Sequence, residues 1–315
     1  LADGEFHSGD DLGKALGITR AAVWKQIQRL QEDKGIDIFS VKGKGYRLSS
    51  PMDLLDSLKI KGSLTDSARK LVSDVQVFGS VTSTNDIAMK HAEAEGEPGY
   101  VCVAEQQTAG RGRRGRPWVS PYGTNIYLSL VWDFFNGAAA LEGLSLAVGV
   151  AVANVLKAKG LGGVELKWPN DVLVEGAKLG GILLEMTGDP SGHCQVVLGV
   201  GINTSVSKKD GAEIDQAWVD TSGLGISIDR NELIAEIIGE LTAMLELFSK
   251  HGFSYFRDQW LVLDAFKGKS VVVKMGKNDM EGVACGVDNT GALRLDRAGA
   301  IEAIKGGEVS LRLGK

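Results

Sequence analysis

The chain has 315 residues, a length that indicates more than one domain. Its apolar content of 43%, charged content of 24% and formal net charge of −5 are ordinary for a soluble globular protein. Three widely spaced cysteines and four scattered histidines argue for a reducing, cytoplasmic compartment and against a zinc site or another protein-bound metal. The most apolar run, 141–156, contains Glu142 and Asn154 and is too short for a membrane span, so we expect a buried helix and no membrane partner.

Two short helices joined by a glycine turn are predicted near the start of the chain. Ser8 is placed to cap a helix over 9–16 that ends at Gly17, and Thr19 caps a second helix over 20–30. This arrangement is typical of a helix-turn-helix, in which the second helix reads DNA. Apolar residues recur on one face of that second helix: Val23, Ile27 and Leu30.

The next segment is predicted to be a hairpin with a basic tip, because the β-prone segments 36–41 and 46–48 flank Lys-Gly-Lys-Gly at 42–45. A hairpin at this position is typical of the wing of a winged helix. The alternative is a winged helix that makes protein contacts only. A winged helix-turn-helix normally has one more helix before these two, and because only Leu1 and Ala2 remain of it, we expect that helix to be truncated. Side chains predicted to point outward toward DNA are Arg20, Trp24, Lys25, Gln28, Lys42 and Lys44.

Strands and helices alternate through the middle of the chain. The corner residues Ser83, Thr84 and Asn85 either cap a helix over 86–95 or bind a small polar ligand. Other strands are predicted at 75–78, 100–104, 125–131, 164–174 with an interruption, 178–185 and 195–201. Other helices are predicted at 144–157 and 232–250, and short helical pieces at 54–71.

The most unusual stretch, 110–116, reads Gly-Arg-Gly-Arg-Arg-Gly-Arg in an acidic chain. Its sequence matches the dinucleotide-binding motif G-x-G-x-x-G. That motif needs a helix directly after it, but Pro117 and Pro121 follow here, so a Rossmann fold is rejected. The planar, charged guanidinium groups of arginine match the geometry of a phosphate. The glycines allow the backbone to approach a ligand closely or allow the loop to move. The alternative is a solvated Arg/Gly loop that adheres to RNA.

Lys178 stands at the start of an apolar strand, where a lysine usually extends its amine to solvent, and Gly180 and Gly181 next to it leave room for a ligand. The last fifty residues change character. Short strands with glycine-rich turns are typical of a small β-barrel, here at 270–274, 281–284, 292–295 and 309–312.

Together these segments resemble one family. The arginine loop, Lys-Trp-Pro-Asn-Asp at 167–171, Lys-Leu-Gly-Gly-Ile-Leu at 178–183 and Gly-Val-Gly-Ile-Asn at 199–203 are similar, in this order, to motifs of biotin protein ligases. The N-terminal unit narrows the resemblance to the bifunctional kind, which also represses the biotin operon.

The resemblance implies an α+β multidomain fold. Its parts are a winged helix-turn-helix over 1–52, a central mixed-sheet α/β catalytic domain of class II synthetase type over 53–265, and an SH3-like β-barrel over 266–315.

A two-step reaction is also implied. Biotin and ATP, with Mg²⁺ on the phosphates, give biotinyl-5′-AMP, and biotin then passes to a lysine of the biotin carboxyl carrier protein of acetyl-CoA carboxylase. Biotinyl-5′-AMP also serves as corepressor, and a ligand-dependent homodimer binds the biotin operator DNA.

Site residues follow from the matched motifs. Arg111, Arg113 and Lys178 are the implied catalytic residues, because cations must neutralise a carboxylate that attacks a phosphate. Those three residues line the implied biotin site together with Ser83, Thr84, Asn85, Gln107 and Gly112. The implied nucleotide residues are Asn170, Asp171, Asn203 and Trp218, the last stacking on adenine or, alternatively, packing in the core.

Three other functions stay open at this stage. A lipoate–protein ligase shares the fold and the adenylate chemistry, although Ser83, Thr84 and Asn85 favour the ureido ring of biotin. A repressor that only senses biotin, without ligase activity, would not need Lys178, Asn170 or Asn203. An Arg/Gly RNA-binding protein would bind RNA with steep salt dependence and no ATP.

Overall fold

The N-terminal unit is a helix-turn-helix followed by a hairpin. The computed structural model describes residues 1–135, 137–275, 278–306 and 309–314. Both predicted caps are present, since the Ser8 hydroxyl accepts from the Asp11 amide and the Thr19 hydroxyl from the Ala22 amide. Gly17 ends the first helix in the left-handed region at φ 65°. The elements are α1 Gly9–Leu16, α2 Arg20–Lys34, β1 Ile38–Val41 and β2 Gly45–Leu48.

The second helix differs from its prediction in length and in one core residue. It continues four residues past Leu30, to Lys34, before Gly35 ends it. Val23 and Ile27 are buried as expected, but Leu30 is exposed, because the short β1–β2 hairpin covers only part of the helix.

A seven-stranded mixed sheet forms the centre of the protein. Its strand order is β3-β4-β5-β9-β8-β7-β6, with β3 and β4 parallel and every other neighbouring pair antiparallel. The strands are β3 Asp74–Phe78, β4 Tyr100–Ala104, β5 Ile126–Phe134, β6 Val164–Lys167, β7 Asp171–Val174, β8 Ala177–Gly188 and β9 Cys194–Ile202.

Helices cover both faces of this sheet. Along β4, Val101 and Val103 face the main core with α6 and α8, whereas Cys102 faces α5 on the other side, as strand alternation requires. The helices of this region are α3 Ser57–Ser63, α4 Asp66–Leu71, α5 Thr84–Glu93, α6 Leu144–Ala158, α7 Lys208–Gly211, α8 Arg230–His251 and α9 Arg257–Leu263. Of these, α7 and α9 were not predicted from the sequence.

The apolar helix α6 packs inside the protein. Within the described residues, judged by length and composition only, the stretch Ala139–Ala158 is long enough and apolar enough to cross a membrane. The expectation that the apolar run at 141–156 is too short for a span was therefore wrong. Most of it is buried by α8, α9 and the sheet, as the expectation of a buried helix requires. Its apolar surface therefore serves the core.

The C-terminal unit is an antiparallel five-stranded sheet of order β13-β12-β11-β10-β14, which confirms the predicted all-β unit. The indole of Trp168 donates to the carbonyl of Gly291 at 3.1 Å and so ties this unit to the central sheet. The strand β13 was not predicted. The strands are β10 Ser270–Met275, β11 Asn278–Val287, β12 Leu293–Arg297, β13 Ala300–Ile304 and β14 Ser310–Leu313.

A buried ion pair anchors the segment between the N-terminal unit and the central sheet. Arg230, the first residue of α8, lies 2.9 Å from Glu105 at the end of β4, and both side chains are about 95% buried. Arg230 also donates to the Asp53 carbonyl, and Glu105 accepts from the Leu55 amide at 2.6 Å. The connecting backbone is thereby held by charge-assisted hydrogen bonds.

We expect Arg230→Ala to lower the free energy of unfolding by about 3–5 kcal/mol, because Glu105 would remain buried without its cation. Urea denaturation followed by circular dichroism measures the change. The matched control is Arg297→Ala, which removes an exposed ion pair with Glu302 and should change stability little. Equal losses in the two variants would contradict the assigned structural role.

Candidate active site

A large cleft opens over β8 and β9, between the arginine loop and the start of α5. About 1040 Å³ of space not filled by protein atoms lies within it, part of which is open to solvent. The C-terminal unit closes one side through β14. Ten residues expected from the sequence line this cleft: Ser83, Thr84, Asn85, Gln107, Arg111, Gly112, Arg113, Asn170, Asp171 and Lys178.

Two other expected residues, Asn203 and Trp218, lie beside the cleft rather than in its wall. Asn203 is buried and donates to the Val219 carbonyl at 3.2 Å, and the Trp218 indole donates to the Gly211 carbonyl at 3.1 Å. The backbone around Trp218 pairs with Lys178 on both sides, so this segment forms a rim next to the cleft. Their contact with nucleotide stays a prediction.

One end of the cleft is polar and internally bonded. Ser83 stands at the helix start, but its side chain makes no cap bond, so the capping interpretation is wrong for it. The amide and hydroxyl of Thr84 both donate to Gln107 Oε1, at 2.9 and 3.2 Å. Gln107 Nε2 in turn donates to Ser120. These hydrogen bonds join the start of α5 to the segment after β4, and the surface that they form is called the polar wall below.

Ser129, which was not predicted, joins this wall from the middle of β5. Its hydroxyl lies 2.8 Å from Thr84 Oγ1 and 2.6 Å from Asn85 Oδ1. Asn85 Nδ2 donates to Glu185 Oε2 at 2.7 Å. The available signal was a single serine inside an otherwise apolar strand, which a buried hydrogen-bond partner explains.

Arg111 is held between two carboxylates at the mouth of this wall. Its guanidinium lies 2.5 Å from Asp86 Oδ1 and 3.0 Å from both carboxylate oxygens of Glu185. Burial alone would lower the pKa of Arg111, but Glu185 and Asp86 more than offset this, so its pKa is raised. The arginine therefore stays charged, and its charge is compensated.

The rest of the arginine loop forms a closed hairpin. Gly112 donates to the Arg116 carbonyl at 2.8 Å, and Arg114 is exposed with φ 60°. Arg113 reaches across the cleft and donates to Asn170 Oδ1 at 3.3 Å. Burial lowers the pKa of Arg113, with the charge of Asp171 opposing that effect. The loop and the interrupted strand are thus in direct contact over the cleft.

Lys178 does not extend to solvent, because it is paired inside the cleft. Its Nζ lies 2.6 Å from Asp171 Oδ1, and Lys167 Nζ lies 2.5 Å from Asp171 Oδ2. Burial raises the pKa of Asp171, but Lys178 and Lys167 outweigh it, so the pKa lies below its ordinary value. One buried carboxylate therefore serves two cations, and an anionic ligand can compete for either.

Glycines on β8 and β9 form the floor. A Cβ at Gly199 would lie 2.3 Å from Asn85 Oδ1, and one at Gly201 would lie 2.8 Å from the ring of Trp118. Because both positions lack side chains, Asn85 and Trp118 can rest directly on the strand. The ring of Trp118 also lies 5.3 Å from Lys178 Nζ. The sequence analysis missed Trp118, although it directly follows the arginine loop and Pro117.

In the N-terminal unit, α2 leaves a polar face uncovered. Arg20, Trp24 and Lys25 are exposed there, as are Lys42 and Lys44 at the hairpin tip, and Gln28 is half-buried. At its end, Lys34 donates to Gln106 Oε1 at 3.3 Å, so the helix touches the residue before Gln107.

Comparison with known proteins gives the class first. A model described as the biotin/lipoate A/B protein ligase family matches residues 77–203, an HTH domain model matches 1–47, and a biotin protein ligase C-terminal domain model matches 267–312. The fold and the cleft thus define a biotin protein ligase with an attached helix-turn-helix.

Relatives identify the particular family. Over 312 residues, 99% of this chain and 95% of the relative, the chain is 43% identical to the bifunctional ligase/repressor BirA of Escherichia coli strain K12. It is 45% identical to the BirA of Salmonella typhimurium, with the same coverage. The chain therefore belongs to the bifunctional ligase/repressor family of biotin protein ligases, which confirms the predicted family and activity.

A solved structure agrees. The biotin protein ligase of Aquifex aeolicus in complex with biotin and ATP superposes with a TM-score of 0.66 at 26% identity, covering 77% of this chain and all of that one.

We expect Lys178→Met to raise the pKa of Asp171, because burial persists while one of its two cations is lost. In the wild type the depressed pKa stabilises the fold above about pH 4, and that contribution is lost as pH falls through the folded-state pKa. NMR titration with ¹³C-labelled aspartate carboxyls measures the change. Lys61→Met, which removes the partner of Asp74, should leave Asp171 unaffected. An unchanged Asp171 in Lys178→Met would mean that this ion pair does not form.

Proposed function

We propose that this cleft forms biotinyl-5′-AMP from biotin and ATP, and that the biotinyl group then passes to a lysine of the biotin carboxyl carrier protein of acetyl-CoA carboxylase. One observation carries the proposal. A polar wall suited to a neutral ring and a cationic wall suited to anions face each other across one glycine floor. A molecule with a ureido ring at one end and a carboxylate at the other fits that polarity.

Biotin is oriented by this asymmetry. Its ureido ring lies against Ser83, Thr84 and Asn85, where hydroxyl and amide groups supply both donors and acceptors. Gln107 and the backbone at Gly112 complete that end. The valeryl chain then runs over the glycines toward Lys178, which brings the carboxylate to the cations.

Adenylation joins an anion to an anion, so the cations carry the chemistry. The biotin carboxylate attacks the α-phosphorus of ATP, its new C–O–P linkage forms, and pyrophosphate leaves. Lys178 bridges the carboxylate and the phosphate, while Arg111 and Arg113 neutralise developing charge from the loop. Lys178 is paired with Asp171 in the cleft, so binding of biotin exchanges one carboxylate partner of Lys178 for another.

ATP occupies the side of the cleft near the interrupted strand. Asn170 and Asp171 line that side, and Asn203 and Trp218 support or contact the nucleotide from the adjacent rim. Mg²⁺ enters bound to the phosphates. Among the described ranges, no group of three His, Cys, Asp or Glu side chains is placed to hold a metal ion.

The N-terminal unit supplies the second activity, repression at the biotin operator, with Arg20, Trp24, Lys25, Gln28, Lys42 and Lys44 facing DNA. The corepressor is biotinyl-5′-AMP, which orders the arginine loop and so creates a surface for a homodimer. A symmetric dimer presents two helices to two half-sites. Both activities belong in the cytoplasm, where carrier protein and operator meet the same enzyme.

The remaining candidate substrate is lipoate, which the matched family description also includes. The polar wall favours biotin, because the dithiolane ring of lipoate has no N–H or carbonyl to pair with Thr84, Asn85 or Ser129. Placing an apolar ring there would leave buried polar groups without partners.

Purified protein with biotin, ATP and Mg²⁺ should form biotinyl-5′-AMP and label the carrier lysine, detected by mass spectrometry, whereas lipoate should not be transferred. Lys178→Met should slow adenylate formation about 10²–10³-fold, as loss of a preorganised donor does. Lys61→Met, on the protein surface, serves as control. Normal turnover by Lys178→Met would remove this lysine from the mechanism, and equal transfer of lipoate would reject biotin specificity.

Sedimentation should detect self-association in the presence of biotinyl-5′-AMP and a monomer in its absence, because the adenylate reorganises the loop around Arg111 and Arg113. Biotin operator DNA titrated under both conditions should bind only the associated form tightly. If the sedimentation coefficient does not respond to the adenylate, the proposed switch is wrong, even where ligase activity is intact.

A further inference from the structure

Glu185 has no role in the mechanism so far, yet it stands behind the polar wall at a junction. It lies on β8, with its side chain about three-quarters buried. One carboxylate oxygen accepts from Asn85 at 2.7 Å, and both oxygens accept from Arg111 at 3.0 Å. It therefore touches two residues that line the cleft without lining it itself.

The hydrogen bonds of Asn85 have a definite direction. Its Nδ2 faces acceptors, namely the Glu185 carboxylate at 2.7 Å and the Leu183 carbonyl at 3.5 Å. Its Oδ1 accepts from the Ser129 hydroxyl at 2.6 Å and has one lone pair left. The side chain is 3% exposed, so solvent does not offer alternative partners.

Ser129 alone does not impose this direction. A hydroxyl both donates and accepts, so it would bond a flipped amide equally well while turning its hydrogen toward Thr84 Oγ1, 2.8 Å away. An ionised carboxylate only accepts. Of the two acceptors that face Nδ2, Glu185 is charged and closer, so it dominates the choice of orientation.

We propose that Glu185 is a positioning residue whose carboxylate fixes the Asn85 amide, so that Oδ1 is the atom presented to the ligand. This inference rests on the proposed function, in which the ureido ring lies against Asn85. A ureido N–H requires an acceptor, and a flipped amide would meet it with Nδ2, donor against donor. The consequence is a loss of biotin affinity, while Lys178 at the other end of the cleft keeps its partner Asp171.

Arg111 supports this role, because its guanidinium donates to both carboxylate oxygens of Glu185 and so keeps that carboxylate in place. Asp86 shares Arg111 but makes no bond to Asn85. The chain thus offers a matched pair of acidic residues. Both hold Arg111, and only Glu185 determines the direction of the amide.

The test is calorimetric titration of biotin into the full chain and its variants. Glu185→Gln keeps the shape, but its own amide can turn either way, so biotin should bind about tenfold more weakly. Asp86→Asn is the control and should stay within about twofold of wild type. The adenylation rate at saturating biotin should fall much less than the affinity in Glu185→Gln, because Lys178 is unchanged and Arg111 keeps its ion pair with Asp86.

A charge-conserving exchange separates positioning from simple structural damage. Asn85→Asp alone places two carboxylates together and should weaken binding strongly. Asn85→Asp combined with Glu185→Gln lets the glutamine amide donate to the new carboxylate and again presents an acceptor to the ligand. Affinity should therefore recover to within a few fold of wild type.

The outcomes are distinguishable. Wild-type protein that does not bind biotin would reject the proposed function itself. Wild-type binding with an unaffected Glu185→Gln variant, or a combined variant no better than Asn85→Asp alone, would overturn the role of Glu185. An equal loss in Asp86→Asn would show that Glu185 acts only by holding Arg111, which also overturns it.

Discussion

The site depends on compensated charge. A cleft that receives a carboxylate and a triphosphate must gather cations, yet a folded chain cannot leave them unpaired in a partly buried place. Asp171 solves this problem by accepting from Lys178 and Lys167 together, and Asp86 with Glu185 does the same for Arg111. In the proposed mechanism, each acid holds its cation in position until an anionic ligand arrives. The preorganised charge that adenylation requires is therefore compatible with a stable unliganded fold.

The glycines on β9 determine the shape of the cleft, as the ion pairs determine its charge. Gly199 and Gly201 lie on a central strand where larger residues would normally add to the packing, and a Cβ at either would collide with Asn85 or Trp118. Their absence of side chains gives the ligand a floor made of backbone. Because every residue of β9, from Cys194 to Ile202, pairs with β8, this floor is held by a continuous ladder of backbone hydrogen bonds.

Three consecutive residues after β4 connect the two activities. Glu105 binds Arg230 and the linker amide of Leu55, Gln106 accepts from Lys34 at the end of the DNA-reading helix, and Gln107 holds Thr84 in the polar wall. A rearrangement at Gln107 is thus one residue from the recognition helix. The short path supports the proposed role of biotinyl-5′-AMP as a corepressor that is also a reaction intermediate.

The sequence by itself determined the order of the units, the helix caps at Ser8 and Thr19, and the four motifs that identify the family, because these are local patterns of side chains along the backbone. It also named most residues around the cleft. Only the tertiary structure decided their partners. Glu185, Ser129 and Trp118 are distant from one another in the chain, and each acquires its contact only when β5, β8 and the arginine loop meet. Lys178 has an ordinary strand-end sequence context, but the pairing of β7 with β8 sets it opposite Leu173, two residues from Asp171 along β7. Its buried ion pair therefore follows from strand register rather than from local sequence.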